Sequence, residues 1–443
     1  MANQTIFRLF NLFFIAYTIS FALEQLLSIR TPIGIIFLPE ILYIPLSVTF
    51  LFCLPTIWKH RKQLLADWLF FDSLVIIYAI IVATSYAFHP TSNSLREMVG
   101  CGYMSSFYFM TTWVFRTQNS LTLLQNGVKI FAYSGVLASI IAIGSYLIGL
   151  LGLNQTVAQT HEYYPLIGDA MRSFGLFRNP IFHANYLACT LIVFASYEFD
   201  KIKKGQPFIL FLLFLFGLAL FLTKTKSVLI VFALGLFFLT KMSPLSKTVK
   251  YSFCALSVFA VLSYLCLSHL LIIKTKQPNL DIILSKGYYF PQFLWQITDD
   301  YAIVPTFYYG TKRAALLAFY DSFPWGIGGD NLTNYVHQLV AQGRHLRPFC
   351  CAPHSTFFGA LGELGLLGLA AILTFFTQLV KMIKKIRVFD AFLPQFALMS
   401  KSLIFFLCCE AVTVDLMNVR YFWLIMATFV LFYKTQLSKP AIE

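Results

Sequence analysis

The chain has 443 residues, 58% of them hydrophobic and 12% charged, with 48 phenylalanines and a net charge of +14. A soluble domain keeps roughly a quarter of its residues charged, so this composition excludes an ordinary water-soluble fold. The basic excess falls in short clusters between apolar stretches, which excludes nucleic-acid binding as its explanation and matches cytoplasmic loops of a membrane protein.

Apolar stretches near 20 residues have the length to cross ~30 Å of hydrocarbon as helices. They predict an all-α polytopic membrane protein with about twelve transmembrane helices, at about 7–27, 34–57, 67–88, 97–115, 129–151, 181–199, 207–223, 227–241, 251–273, 355–380, 390–411 and 417–434. A single integral membrane domain covers 1–443. The first stretch is long and lacks a small-residue cleavage site, so it reads as an anchor. Between the seventh and eighth stretches the only break is Lys224-Thr225-Lys226.

Orientation follows from the basic clusters at 59–62, 201–204, 241–250 and 381–387. With the first of these inside, both termini and every later cluster are also inside. Two long segments are then outside, 152–180 and the larger 274–354. The second runs to about 80 residues, too long for a mere connector, and is expected to be partly helical and to cap a site. The halves 1–200 and 207–434 share neither motif nor loop pattern, which weighs against a transporter built from related halves.

Nine cysteines are scattered, and no CxxC spacing marks a zinc or redox site. Adjacent Cys350 and Cys351 would form only a strained bridge and read as unpaired. Asp299-Asp300 could hold a metal, but no second acidic cluster joins them, so a metal-independent site without cofactor is expected.

The residues able to carry chemistry gather at 311–370. Lys312 and Arg313 open a helix of apolar period (Ala315, Leu316, Phe319, Tyr320), which Pro324, Gly326, Gly328 and Gly329 end in a turn. Asp330 and Asn331 can cap the helix that follows. Pro353 suits the first turn of the tenth span, which puts His354 at the membrane–water boundary. His354 alone reads as an interfacial residue at a helix end. Near a cationic loop it also reads as a proton acceptor, because neutral imidazole can take a proton near pH 7. Arg313, Arg344 and Arg347, with Lys226 and Arg172, place several cations on the face where few are expected, and an anionic ligand such as a pyrophosphate would account for them. Each alone could solvate a loop, and Lys224 and Lys226 could snorkel at a helix end. Glu363 lies ~13 Å of helix below His354, an intramembrane acid that is a functional candidate by default. Beside Gly359, Gly362, Gly365 and Gly368, we read it rather as a structural hydrogen-bonding residue at a close helix contact.

At these residues the chain resembles the O-antigen ligase and polymerase superfamily of bacterial envelope glycosyltransferases. The likeness rests on Arg313 followed by Pro324, Gly326 and Gly328, on His354 followed by Glu363, Gly365 and Gly368, and on Gly175, Phe177, Asn179 and Pro180 leading into a mid-chain helix. Thr225-Lys226-Ser227 stands where the family usually has Ser-Arg-Gly, and Ser355 follows the histidine in place of Asn. The resemblance implies a ligase that moves a glycan from undecaprenyl diphosphate onto lipid A–core at the periplasmic face of the bacterial inner membrane, among membrane lipids and without nucleic acid. It implies catalytic roles for His354 and Arg313 and substrate binding by Lys226, Arg172, Lys312 and Arg347. A surface polysaccharide polymerase using the same donor is the nearest alternative, and a polysaccharide or lipid flippase is a reading of another class.

Overall fold

A computed structural model describes residues 2–31, 34–118, 121–153, 159–164, 168–225, 270–274, 295–305, 307–344, 353–385 and 393–437. The expected eighth span, 227–241, lies outside them, as does 251–273 except for its last residues. Those residues belong to a strand.

The described chain is mostly helical. It begins with α1 (Ala2–Ser20), which continues as a 3-10 turn over Phe21–Leu23, and the hairpin β1 (Ser28–Thr31) and β2 (Gly34–Phe37) leads to α2 (Leu38–Lys59) and the short α3 (Arg61–Ala66). The expected second span therefore starts late. β-branched Ile35 and Ile36 are extended, and the Glu40 carboxylate accepts the Phe37 N–H at 2.9 Å to open the helix. Next come α4 (Phe70–Phe88), α5 (Ser92–Gln118) and α6 (Leu121–Leu150).

The antiparallel pair β3 (Gln159–Tyr164) and β4 (Gly168–Ser173) precedes α7 (Pro180–Tyr197), α8 (Phe199–Lys203) and α9 (Pro207–Leu222). Strands β5 (Leu270–Lys274), β6 (Trp295–Thr298) and β7 (Tyr301–Pro305) form an antiparallel sheet in the order β5-β7-β6. Helices α10 (Phe307–Asp321), α11 (Leu332–Ala341), α12 (Thr356–Lys385), α13 (Leu393–Glu410) and α14 (Arg420–Leu437) complete the chain.

Among the described residues, six helices are long and apolar enough to cross a membrane: Gln4–Leu23, Leu38–Lys59, Phe70–Phe88, Leu124–Leu150, Pro180–Tyr197 and Thr356–Lys385. Pro207–Leu222 is apolar but shorter. Large apolar side chains such as Leu51, Phe52, Ile80 and Leu367 are exposed on the outsides of these helices. Several such faces on one chain suit hydrocarbon rather than water, so this is a multi-pass membrane protein.

Helix α7 is buried on nearly every side. Its start follows from Asn179 and Pro180: the Asn179 carboxamide oxygen accepts the Ile181 and Phe182 N–H groups at 3.0 and 2.9 Å, and proline needs no partner at the first position. Phe131 of α6 and Tyr421 of α14 pack edge-on against its Tyr186, and Phe216 of α9 packs against its Phe194.

Polar contacts sort the helix ends into two sets. At one end, Arg420 of α14 pairs with Glu24 after α1 (2.8 Å) and with Glu40 of α2. There too Arg178 meets Glu24 at 3.2 Å, Asn418 meets Glu97 of α5 at 3.1 Å, and the Thr356 N–H at the start of α12 donates to the Ala411 oxygen after α13 at 2.8 Å. At the other end, buried Asp72 of α4 accepts from Arg116 of α5 at 3.1 Å and from the Tyr108 hydroxyl at 2.6 Å. Lys434 of α14 meets Asp67 there at 2.9 Å, and Tyr133 of α6 donates to Glu198 beyond α7 at 2.7 Å. By these contacts α5, α7 and α14 each have one terminus in each set. The lysines of 59–62, 201–204 and 381–385 all belong to the second.

Candidate functional site

The site is built where α10 lies on the first half of α12. The face of α10 turned inward is made of small residues, Gly310, Thr311, Ala314, Ala315 and Ala318, whereas Leu316 and Tyr320 point away. Of the expected apolar positions, Ala315 thus turns inward while Leu316 and Tyr320 turn outward. Close backbone approach decides this: a Cβ on Gly362 would stand 2.8 Å from the Ala315 oxygen, so only small residues fit on either side.

Helix α12 is broken at Gly365, which has φ +70 and ψ −158. The glycine-rich turn after α10 fills the break. The Ile327 and Gly328 N–H groups donate to the Gly362 and Glu363 oxygens at 3.1 and 2.9 Å, and the Leu366 N–H donates to the Pro324 oxygen at 3.0 Å. Backbone groups freed by the break are therefore satisfied by protein, as a non-helical segment in a membrane protein requires. The Glu363 carboxylate accepts the Leu332 N–H at 3.3 Å and so caps α11. That is the structural hydrogen-bonding role expected of it.

Asn331 stands at the N-cap position of α11, but its side chain does not cap that helix. It donates to Ser94 at 2.9 Å and accepts from Thr91 at 2.8 Å, tying the turn to the start of α5. Asp330, in the left-handed region, pairs with Arg96.

His354 precedes α12 with φ +47, and Ser355 rather than Pro353 opens the helix, its carbonyl accepting the Gly359 N–H at 2.9 Å. Pro353 packs over Gly359 instead. The imidazole stands edge-on to Tyr308 of α10, ring centroids 5.4 Å apart. Lys312, one turn further along α10, places its ammonium 5.9 Å from the Phe358 ring centre. Burial lowers the His354 pKa to about 4, with the Lys312 charge adding to the effect, so the ring is neutral at pH 7. Burial also brings Lys312 down to about 8. Arg313 is half-buried on the same helix. The structure thus brings Lys312 and His354 together, with Arg313 beside Lys312 in the chain.

Arg172 lies in the seam between β4 and the end of α9. Its Nε donates to the Thr223 oxygen at 2.8 Å and its Nη2 to the Thr225 hydroxyl at 2.9 Å. Lys226 and Arg347 lie outside the described residues, as do Cys350 and Cys351. Asp299 and Asp300 form the tight turn between β6 and β7. Among the described residues, no group of three or more His, Cys, Asp and Glu could hold a metal ion.

Sequence reasoning missed two polar groups at this end of the bundle. One is the Glu24–Arg420–Glu40 network with Arg178, whose guanidinium also lies 4.1 Å from the Phe37 ring centre. The other is the acid pair Glu97 and Asp415, which with Glu363 line a small cavity beside Tyr78, Thr356 and Met417. Burial pushes the Asp415 carboxyl above the usual carboxylate range although the Met417 N–H and Asn418 stabilise its charge. These residues are scattered over the chain, and only the charge on Glu24, Glu40 and Glu97 near helix ends hinted at them. The Asp321–Arg344 pair (2.7 Å), with Tyr335, ties the ends of α10 and α11. Arg344, expected among the ligand-binding cations, therefore has an internal partner.

Compared with protein-family models and with curated proteins, the chain gives no match.

Proposed function

We propose that the chain is an O-antigen ligase-like glycosyltransferase that moves a glycan from undecaprenyl diphosphate to lipid A–core. In this reading it sits in the bacterial inner membrane with about twelve spans and cytoplasmic termini, and the helix ends near His354 face the periplasm. The observation that carries the proposal is the juxtaposition of Lys312 over Phe358 and His354 against Tyr308, where α10 meets the start of α12. The lysine-rich clusters at the opposite helix ends support the orientation.

The acceptor hydroxyl attacks the anomeric carbon of the donor glycan. The new glycosidic bond forms as the bond to the phosphate oxygen breaks, and undecaprenyl diphosphate leaves with the electron pair. Lys312 and Arg313 offset the charge growing on that oxygen, and Arg347 and Lys226 are further cations for the diphosphate. His354, neutral at pH 7, accepts the hydrogen bond of the attacking hydroxyl and then its proton. A diphosphate bound beside Lys312 raises the basicity of the imidazole, because a nearby anion favours the charged ring. Arg172, held by its Thr223 and Thr225 contacts, is a further cation for the donor.

The test is the envelope glycolipid pattern of a strain lacking the gene, complemented with wild type or His354→Ala. Loss of a ligase leaves bare lipid A–core and builds up lipid-linked polymer, and His354→Ala should reproduce that pattern at normal protein level. Core carrying a single repeat would instead identify a polymerase, and a unit trapped on the cytoplasmic face a flippase. Full transfer by His354→Ala would reject the catalytic role.

A further inference from the structure

The outward face of α10 carries Tyr309, Leu316 and Tyr320, 43%, 47% and 78% exposed, and the turn adds Phe323 and Trp325 at 64% and 66%. These residues lie opposite the small-residue face that packs on α12, at spacings of seven and four along the helix, and so form one stripe. In water, five adjacent large apolar side chains would be an unfavourable surface.

Two markers fix the depth of this stripe. Leu366 to Lys385 is about 20 residues, or ~30 Å of helix, which is one crossing from the basic end to the break. The turn also meets the last residues of α4: the Gly329 N–H donates to the Ser85 hydroxyl at 3.3 Å, and a Cβ on Gly328 would stand 2.7 Å from the Cβ of His89. Both markers put Phe323 and Trp325 at the far boundary of the hydrocarbon. The apolar surface is continuous there, since Leu366, whose N–H bonds to Pro324, and Leu367 are exposed on α12.

We propose that, in the orientation given above, the end of α10 and its turn form a re-entrant element whose aromatic side chains Tyr320, Phe323 and Trp325 are embedded in the outer leaflet, at the boundary of acyl chains and headgroups, while Tyr309 stands at the level of Lys312. Tyrosine and tryptophan are favoured at that depth because their rings are apolar and their polar atoms reach water. Lys312, packed over Phe358, lies ~10 Å of α12 above the break at Gly365, the level of the lipid phosphates. The element therefore holds the cationic part of the site at headgroup height, whatever reaction occurs there.

The test uses the full chain in nanodiscs of phosphatidylethanolamine and phosphatidylglycerol. The difference in fluorescence between wild type and Trp325→Phe isolates Trp325, and Tyr320→Trp in that background puts a second reporter on α10. With lipids brominated near the headgroup end of their acyl chains, both signals should fall at least about twofold, and more than with bromine near the chain ends. Aqueous acrylamide should quench them weakly. Strong acrylamide quenching without an effect of bromine would overturn the proposal. So would bromine protection that depends on more than one copy per disc, which would mean that a second chain covers the stripe.

Discussion

Gly326 and Gly365 meet backbone to backbone: a Cβ on Gly326 would stand 2.6 Å from the Gly365 nitrogen and 2.5 Å from the Glu363 oxygen. Both residues have positive φ. Gly365→Ala adds a left-handed penalty to a clash with the Trp325 carbonyl carbon at 2.5 Å. The expected loss is roughly 2–5 kcal/mol, seen as a lower thermal midpoint in detergent and poor recovery of monodisperse protein. A methyl group added at Gly217 on α9 would meet nothing within 4 Å, so Gly217→Ala should leave that midpoint nearly unchanged.

His354 has a left-handed backbone, which asparagine tolerates better than alanine does. His354→Asn should therefore keep the start of α12 while removing the imidazole. Glycan transfer is expected to fall by about 100-fold or more with an unchanged thermal midpoint. A folded-state pKa near 4, against ~6.5 in the unfolded chain, means that only the unfolded chain takes up this proton between those values. The contribution of His354 to stability is thus present above about 6.5 and lost as pH falls towards 4. His354→Asn should flatten this part of the stability profile.

The Lys312 ammonium is held at about 8, so it is charged below that pH and neutral above it. Affinity for the lipid diphosphate should weaken as pH rises through about 8. Bound donor will move this midpoint upward, because the anion favours the charged lysine. Lys312→Arg should abolish the pH dependence while keeping the cation, and Lys312→Met should weaken binding across the whole range. Donor binding measured at several pH values distinguishes the three proteins.

Arg420 joins Glu24 and Glu40, with Glu24 nearly inaccessible to solvent. Arg420→Gln leaves these carboxylates without their main counter-charge. A loss of about 3 kcal/mol is expected, visible as a lower thermal midpoint. Glu24→Gln in the Arg420→Gln background should restore part of the stability, because it removes one of the orphaned charges.

Much of the bundle was determined by local sequence alone. Apolar length marks α1, α2, α4, α6, α7 and α12, and Asn179-Pro180 fixes the start of α7 through bonds within a few residues. The histidine and the lysine of the site were legible because their residue types stand out beside apolar runs. Tertiary structure decided which face of α10 turns inward, since that depends on the Gly362–Ala315 approach and not on hydrophobic period. It also decided that Asn331 ties the turn to α5 while Glu363 caps α11, and that Arg172 and Arg344 have internal partners. In each case the deciding partner is distant in the chain, and the buried polar group must find it or remain unsatisfied.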